Sequence, residues 1–328
     1  MAKPVKFGVL GAARIAPTAL IIPSRLGDEA RAVVVAARDF ERAQRFAEEH
    51  QIPRVARSYE EVVNDPEVDV VYNPLPMNLH KEWTIAALRA GKDVLCEKPF
   101  ASNAKEAEEM VRVAAETGRF LVEAFHYRYH PFFERILSVV KSGKLGKLQS
   151  VDGKFVVAIK DRNDLRHKYE TSGGATMDLG CYPLHWLRQV VGEEPEVVSA
   201  RADIGNPKVD LTMEAELLFP GGVKGKMLTS MADEWAFSTT LEVVGERGRL
   251  FARNPLAPHG GHELRITIDG DETTEQVPGQ TTFRHQLVAF VNARAGDKKL
   301  PTMGQDSIDN MRLIDAVYRA AGLPIRGA

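Results

Sequence analysis

Two short stretches of the 328-residue chain carry side chains able to move a proton. The first is Asp93-Val94-Leu95-Cys96-Glu97-Lys98-Pro99, an apolar run that ends abruptly in an acid, a base and a proline. It reads as a buried strand that delivers Glu97 and Lys98 to its carboxyl end, the edge at which open parallel sheets bind ligands. A lysine held partly out of water has its reference pKa of about 10.4 pushed downward, toward proton exchange near neutral pH. Taken alone, Glu97-Lys98-Pro99 reads first as a surface pair at a turn; its surroundings change that. The second stretch is Gly173-Gly174-Ala175-Thr176-Met177-Asp178-Leu179-Gly180-Cys181-Tyr182-Pro183-Leu184-His185-Trp186-Leu187. On a helix Asp178, Tyr182 and His185 fall at i, i+4 and i+7, one polar stripe on an apolar element, with Pro183 expected to kink it. Such a stripe serves either a site or a hydrogen-bonded core network.

The elements around Lys98 give it context. A first strand, Val5 to Leu10, runs into Gly11-Ala12-Ala13-Arg14-Ile15-Ala16. Set against G-x-G-x-x-G/A, this keeps the first glycine for the tight turn and a small third residue for helix packing, while Ala13 replaces the middle glycine. Such a loop offers amide donors and a positive helix end to a pyrophosphate; the plainer reading is a small-residue turn. A second strand, Ala32 to Ala37, ends at Arg38-Asp39. An acid at that strand end takes ribose hydroxyls, whereas an arginine suits a 2'-phosphate, so Arg38 favours NADP with NAD as the alternative. A helix over Glu41 to His50 follows. The strand Val68 to Tyr72 exits through Asn73-Pro74-Leu75-Pro76-Met77-Asn78-Leu79-His80 into a helix over Glu82 to Ala90. A helix over roughly Asn103 to Thr117 and a strand Phe120 to Ala124 complete the alternation. This βαβαβα order predicts an α/β Rossmann-type domain, a doubly wound parallel sheet, over residues 1–124.

Residues 125–328 read differently. A helix from Pro131 to Lys141 precedes alternating segments at Leu148 to Ile159, Glu196 to Asp203, Ala215 to Phe219, Lys224 to Ser230, Thr239 to Val244, Arg249 to Phe251 and Leu264 to Ile268. They predict an α+β domain with a large, mostly antiparallel open sheet of six or more strands, whose second face needs cover. Thr282 to Ala295 and Ser307 to Ala321 have helical spacing and read as core.

Composition narrows the function classes. The chain is 44% apolar and 27% charged with a formal net charge of -2, which gives no electrostatic reason to expect nucleic acid or an anionic membrane. No run approaches the roughly 18 apolar residues of a membrane-spanning helix, and Met1 to Lys6 leads straight into a strand, so a cytoplasmic protein is expected. Cys96 and Cys181 lack CxxC spacing, so neither a zinc site nor a disulfide framework is expected, and no metal is required.

Gly11 to Ala16, the Pro74-Leu75-Pro76 turn with His80, Glu97-Lys98-Pro99, and Glu123-Ala124-Phe125-His126-Tyr127-Arg128-Tyr129-His130-Pro131 stand in an order and spacing that resembles the glucose-fructose oxidoreductase/inositol dehydrogenase/rhizopine-catabolism (Gfo/Idh/MocA) family. The resemblance covers essentially the whole chain and is nearest the branch of NADP-dependent xylose dehydrogenases and dimeric dihydrodiol dehydrogenases. It implies hydride transfer between a nicotinamide and a secondary alcohol or hemiacetal carbon of a sugar or cyclic vicinal diol. Catalysis would fall to Lys98, Tyr182 and Asp178, with a phenol of reference pKa about 10 acting as base only beside a cation. Cofactor contacts would come from Gly11, Ala12, Ala13, Arg14, Ile15, Arg38, Pro74, Leu75, His80, Glu97 and Lys98, Glu97 taking the nicotinamide ribose. Substrate contacts would come from His185, Arg128, Asp164 and Arg166. Tyr182 stands where relatives more often have His, Met77 where they usually have Asn, and His185 where many have an acid. A homodimer or homotetramer through the C-terminal sheet is implied. A sugar-sugar oxidoreductase with tightly bound NADP and a non-catalytic dinucleotide sensor are the alternatives.

Overall fold

Short valine-rich runs build the first sheet, and both faces of it are buried. The computed structural model describes residues 3–206, 208–296 and 298–327. Strands β1 (Val5–Leu10), β2 (Ala30–Ala36), β3 (Arg54–Val55), β4 (Val70–Asn73), β5 (Asp93–Cys96) and β6 (Leu121–Glu123) pair in the order β3-β2-β1-β4-β5-β6, all parallel. The order reverses at β1, the switch point at which such sheets bind ligands. Register aligns Leu10 with Ala36, Asn73 with Cys96 and Cys96 with Glu123, so the loops after β1, β2, β4 and β5 leave from one edge.

Caps fix where the helices start. Asp39, Ser58 and Asn103 each accept the amide of the residue three places on, at the heads of Phe40–Glu49, Tyr59–Asn64 and Ala104–Thr117. Asp39 thus serves its own helix, and Arg38 is the charged side chain left at the end of β2.

The chain divides into two compact units, and the division departs from the single cut expected at 124. Unit one is Met1–His126 with Phe283–Ile308; unit two is Tyr127–Thr282 with Asp309–Ala328. The reason lies in the helix Thr282–Ala295, whose Phe283, Leu287, Phe290 and Val291 join Phe7, Val9, Tyr72, Leu95 and Val122 in one buried cluster. Its apolar stripe is core, as its spacing predicts, but it belongs to the core of the first unit.

The described residues of unit two form eight strands: β7 (Leu148–Val156), β8 (Glu196–Asn206), β9 (Val209–Leu218), β10 (Lys224–Ser230), β11 (Ser238–Gly245), β12 (Gly248–Arg253), β13 (Glu263–Ile268) and β14 (Asp271–Glu275). Their order is β14-β13-β12-β11-β7-β10-β9-β8, antiparallel except for the β10–β7 pair. One face turns Met213, Met227, Val151, Leu241, Leu250 and Leu264 inward, where the helix Cys181–Val191 packs on β7. The other face carries a row that is polar apart from Phe251: Ser199, Glu216, Lys226, Asp152, Glu242, Phe251, Arg265 and Thr274. Among the described residues no helix is long and apolar enough to cross a membrane.

Candidate active site

The loop edge of the parallel sheet assembles the predicted cofactor residues of unit one. The Gly11 amide donates to the Ala36 carbonyl at 2.7 Å, which fastens the loop after β1 to the end of β2. Gly11 has φ 87°, and a Cβ there would stand 3.1 Å from Leu75 Cδ2, so the turn calls for glycine. Ala12 is buried, while Ala13 is partly exposed and Arg14 and Ile15 are exposed at the head of a π-helical turn, Pro17–Ile21. π-turns recur at functional sites. Arg38 is exposed, and two groups that sequence reasoning missed stand with it. Arg42 Nη2 donates to the Ala12 carbonyl at 2.8 Å, tying the next helix to the glycine loop. Tyr59 has its phenol pushed up by burial, against the opposing charges of Arg38 and Arg42. Two guanidiniums and a phenol around one strand end form a cradle suited to a phosphate dianion. Arg42 stands in the first turn of the helix Phe40–Glu49, four residues past Arg38, and a second arginine so near the strand end is the signal that could have flagged it.

The loops after β4 and β5 are braced by each other. His80 is 1% exposed, with Nδ1 facing the Pro99 carbonyl at 3.0 Å and Nε2 facing that of Leu75 at 2.8 Å. Burial pushes its pKa down to about 4, outweighing the carbonyl oxygens that favour the protonated ring. His80 therefore holds the Pro74-Leu75 turn against the Lys98-Pro99 peptide, which is cis. Asn73 assists, donating to the His80 carbonyl at 3.2 Å and to Thr84 Oγ1 at 3.1 Å. Glu97 is 7% exposed; its Oε1 accepts the Tyr72 phenol at 2.7 Å and its Oε2 the Lys98 amide at 3.3 Å. Tyr72, last but one in β4, enters the sequence reading only as the end of a strand. Cys96 and Cys181 are both buried and unpaired with each other, and burial pushes the Cys96 thiol well up, so it stays protonated.

In unit two the stripe residues sit on one element with a local irregularity. A π-turn, Thr176–Gly180, leads into the α-helix Cys181–Val191. The wider turn ends just before Pro183, whose ring would clash with the Leu179 carbonyl of a regular α-helix. Asp178 is buried and accepts Arg166 Nε at 2.6 Å. Arg166 also donates to Asp164 at 3.2 Å, and the Asp178 charge raises its pKa further above the usual range. The structure thus brings Asp164, Arg166 and Asp178 together. Tyr182 lies among Tyr127, Phe155 and Trp186, with ring centroids 6.0, 5.8 and 6.3 Å away. His185 is fully buried with Nδ1 2.5 Å from the Tyr127 hydroxyl. Arg128 donates to Gln189 Oε1 at 3.0 Å and pairs with Glu134, so its guanidinium is engaged within the fold.

A sheet edge with a glycine turn, an arginine-lined strand end and a Glu-Lys-Pro loop suits a dinucleotide, and comparison with known proteins agrees. Residues 5–125 match the oxidoreductase family with an NAD-binding Rossmann fold, and residues 133–251 match the GFO/IDH/MocA C-terminal domain. A D-xylose 1-dehydrogenase (NADP(+)) from Haloferax volcanii is 34% identical over 96% of this chain and 97% of its own. A trans-1,2-dihydrobenzene-1,2-diol dehydrogenase from Bos taurus is 38% identical over 67% of this chain and 65% of its own. A crystallised 3-ketoreductase from Actinomadura kijaniata, in complex with NADP and TDP-benzene, superposes with a TM-score of 0.89 at 29% identity, covering 97% of this chain and 98% of that one. The chain belongs to the Gfo/Idh/MocA family of oxidoreductases, and its first domain is that family's NAD-binding Rossmann fold.

Proposed function

We propose that this enzyme is an NADP-dependent dehydrogenase acting on a secondary alcohol or hemiacetal carbon of a sugar or a cyclic vicinal diol. The observation that carries the cofactor choice is the end of β2: Asp39 is spent as a helix cap, while Arg38, Arg42 and Tyr59 surround the position that a 2'-phosphate would take. Bound NADP supplies the hydride acceptor. Gly11 to Ile15, Pro74 and Leu75 hold the dinucleotide, and Glu97, fixed by Tyr72, takes the nicotinamide ribose. Lys98, Tyr182 and Asp178 are assigned the hydroxyl proton, the carbinol carbon giving up its hydride as the proton leaves. Arg166 and Asp164 orient the substrate hydroxyls; His185, fully buried on the Tyr127 hydroxyl, supports its helix from within, and Arg128 braces the same helix through Gln189.

Xylose and dihydrodiol dehydrogenases among the relatives support this substrate class. Cys96 and Cys181, buried as thiols with no disulfide between them, suit the reducing cytoplasm. Self-association through the outer face of the eight-stranded sheet completes the reading.

The test is initial rates of nicotinamide reduction with NADP and with NAD across aldoses, inositols and cyclic trans-diols. Turnover with NADP on one substrate class is expected. Removing one charge-assisted phosphate contact in Arg38→Ala should raise the KM for NADP about 10- to 100-fold and leave NAD rates unchanged. A wild type that prefers NAD contradicts the cofactor assignment. Tight NADPH binding without turnover of any substrate would point instead to a sensor.

A further inference from the structure

Strand β9 and the segment 324–326 meet at the turn that begins the Asp178 helix. Asp210 and Arg326 are both 0% exposed and pair at 2.9 Å. The Asp210 carboxylate collects four donors. Its Oδ2 accepts the amide and the hydroxyl of Thr176, each at 2.7 Å, and its Oδ1 accepts the Tyr318 phenol and Arg326 Nη2, each at 2.9 Å. Thr176 opens the π-turn, and Ala175 before it has no side chain with which to cap. A strand distant in sequence therefore supplies the missing cap.

Arg326 extends the clamp. Its Nε donates to the Gly173 carbonyl at 2.7 Å, and its guanidinium lies 4.1 Å from the Tyr318 ring centroid and 5.2 Å from that of Tyr169. Tyr169 in turn donates to the Ile325 carbonyl at 2.9 Å, so the same segment holds the short loop that carries Arg166. Gly174 has φ 141°, and a Cβ there would stand 2.2 Å from Asp210 Oδ1 and 2.9 Å from Arg326 Nη2. Only glycine lets the chain pass these converging polar groups.

A buried ion pair is a poor source of stability, because apolar side chains of equal volume often do as well. What this one supplies is direction, since a carboxylate with four fixed donors has one arrangement. We propose that Asp210 and Arg326 are positioning residues, which set the start of the helix bearing Asp178 and Tyr182 in register with Arg166. The proposal rests on the reading above that Asp178 and Tyr182 serve the reaction, and both residues act through Thr176 and Gly173.

The test compares wild type with Arg326→Met, Arg326→Lys and the double variant Asp210→Asn/Arg326→Met, which leaves no unpaired buried charge and so protects folding. Variants that keep the wild-type circular dichroism and NADPH affinity are expected to lose about 10²-fold in kcat, with Arg326→Lys recovering part of it. Hydrogen exchange by mass spectrometry should speed up over 176–182 and stay unchanged over β1. A folded double variant with wild-type kcat overturns the proposal, as does unchanged exchange over 176–182. If the wild type turns over no substrate, the reaction reading fails by itself, and the exchange result still decides whether the clamp holds the helix.

Discussion

His80 illustrates how a side chain beside the chemistry can act by holding backbone. Its motif position suggests a cofactor contact, yet both ring nitrogens face carbonyls of the two loops that flank the proposed nicotinamide site. Because burial brings its pKa from 6.5 down to about 4, the folded state keeps the ring neutral while the unfolded chain protonates first as pH falls. Stability from this source is therefore complete above about pH 6.5 and is lost as pH falls toward 4, about 3 kcal/mol in all. Urea midpoints measured across that window should drop in wild type and drop less in His80→Gln; equal slopes would contradict the assignment. Glu97 and Lys98 stood out in the sequence only through their surroundings: the strand–helix alternation on either side turns an apolar run ending in charge from a surface pair into the ligand edge of a parallel sheet. Tyr72 and Arg42 did not, because each acts through a partner 25 or 30 residues away.

At the level of elements, most helices follow from spacing and caps alone. Pro131–Lys141 and Thr282–Ala295 have the bounds that their periodicity predicts. The π-turn at Thr176–Gly180 was hidden, since it changes the hydrogen-bond pattern without changing the run of apolar residues. Pro183 signalled an irregularity there but not its form. The helix seats Pro183 against Gly153 of β7, where an added Cβ would lie 2.9 Å from Pro183 Cβ. Gly153→Val should therefore push the helix off the sheet and cost about 1–3 kcal/mol by overpacking, read as a lower urea midpoint with unchanged NADPH binding. A neutral result would mean that the helix has room to shift. The helix Thr282–Ala295 carries a further lesson: an apolar stripe shows that a helix is buried, and only long-range packing decides in which core.

For the whole molecule, the sequence announces two sheets, and strand order and outer-face character come from the fold. The face opposite the core of the second sheet carries Glu216, Lys226, Asp152, Glu242, Phe251 and Arg265 in one row, with Leu218 exposed two residues on from Glu216. Charged side chains outnumber apolar ones in that row, so charge complementarity contributes to any cover it takes. Burial raises the Asp152 pKa, with Glu242 adding to it and Lys226 opposing, so the row is already electrostatically coupled. Association through it should weaken as salt rises from about 0.1 to 1 M and screening shortens from about 10 to 3 Å. Sedimentation velocity at the two salt concentrations checks this, and a salt-insensitive oligomer would place the interface elsewhere. The central claim, hydride transfer with proton handling by Lys98, has its most direct test in a substrate deuterated at the carbinol carbon. Mass spectrometry of the reduced nucleotide should show one deuterium gained with wild type. Lys98→Met should bind NADPH normally yet form labelled product about 10²- to 10⁴-fold more slowly. Product without the label, or a Lys98→Met enzyme as fast as wild type, would contradict the account.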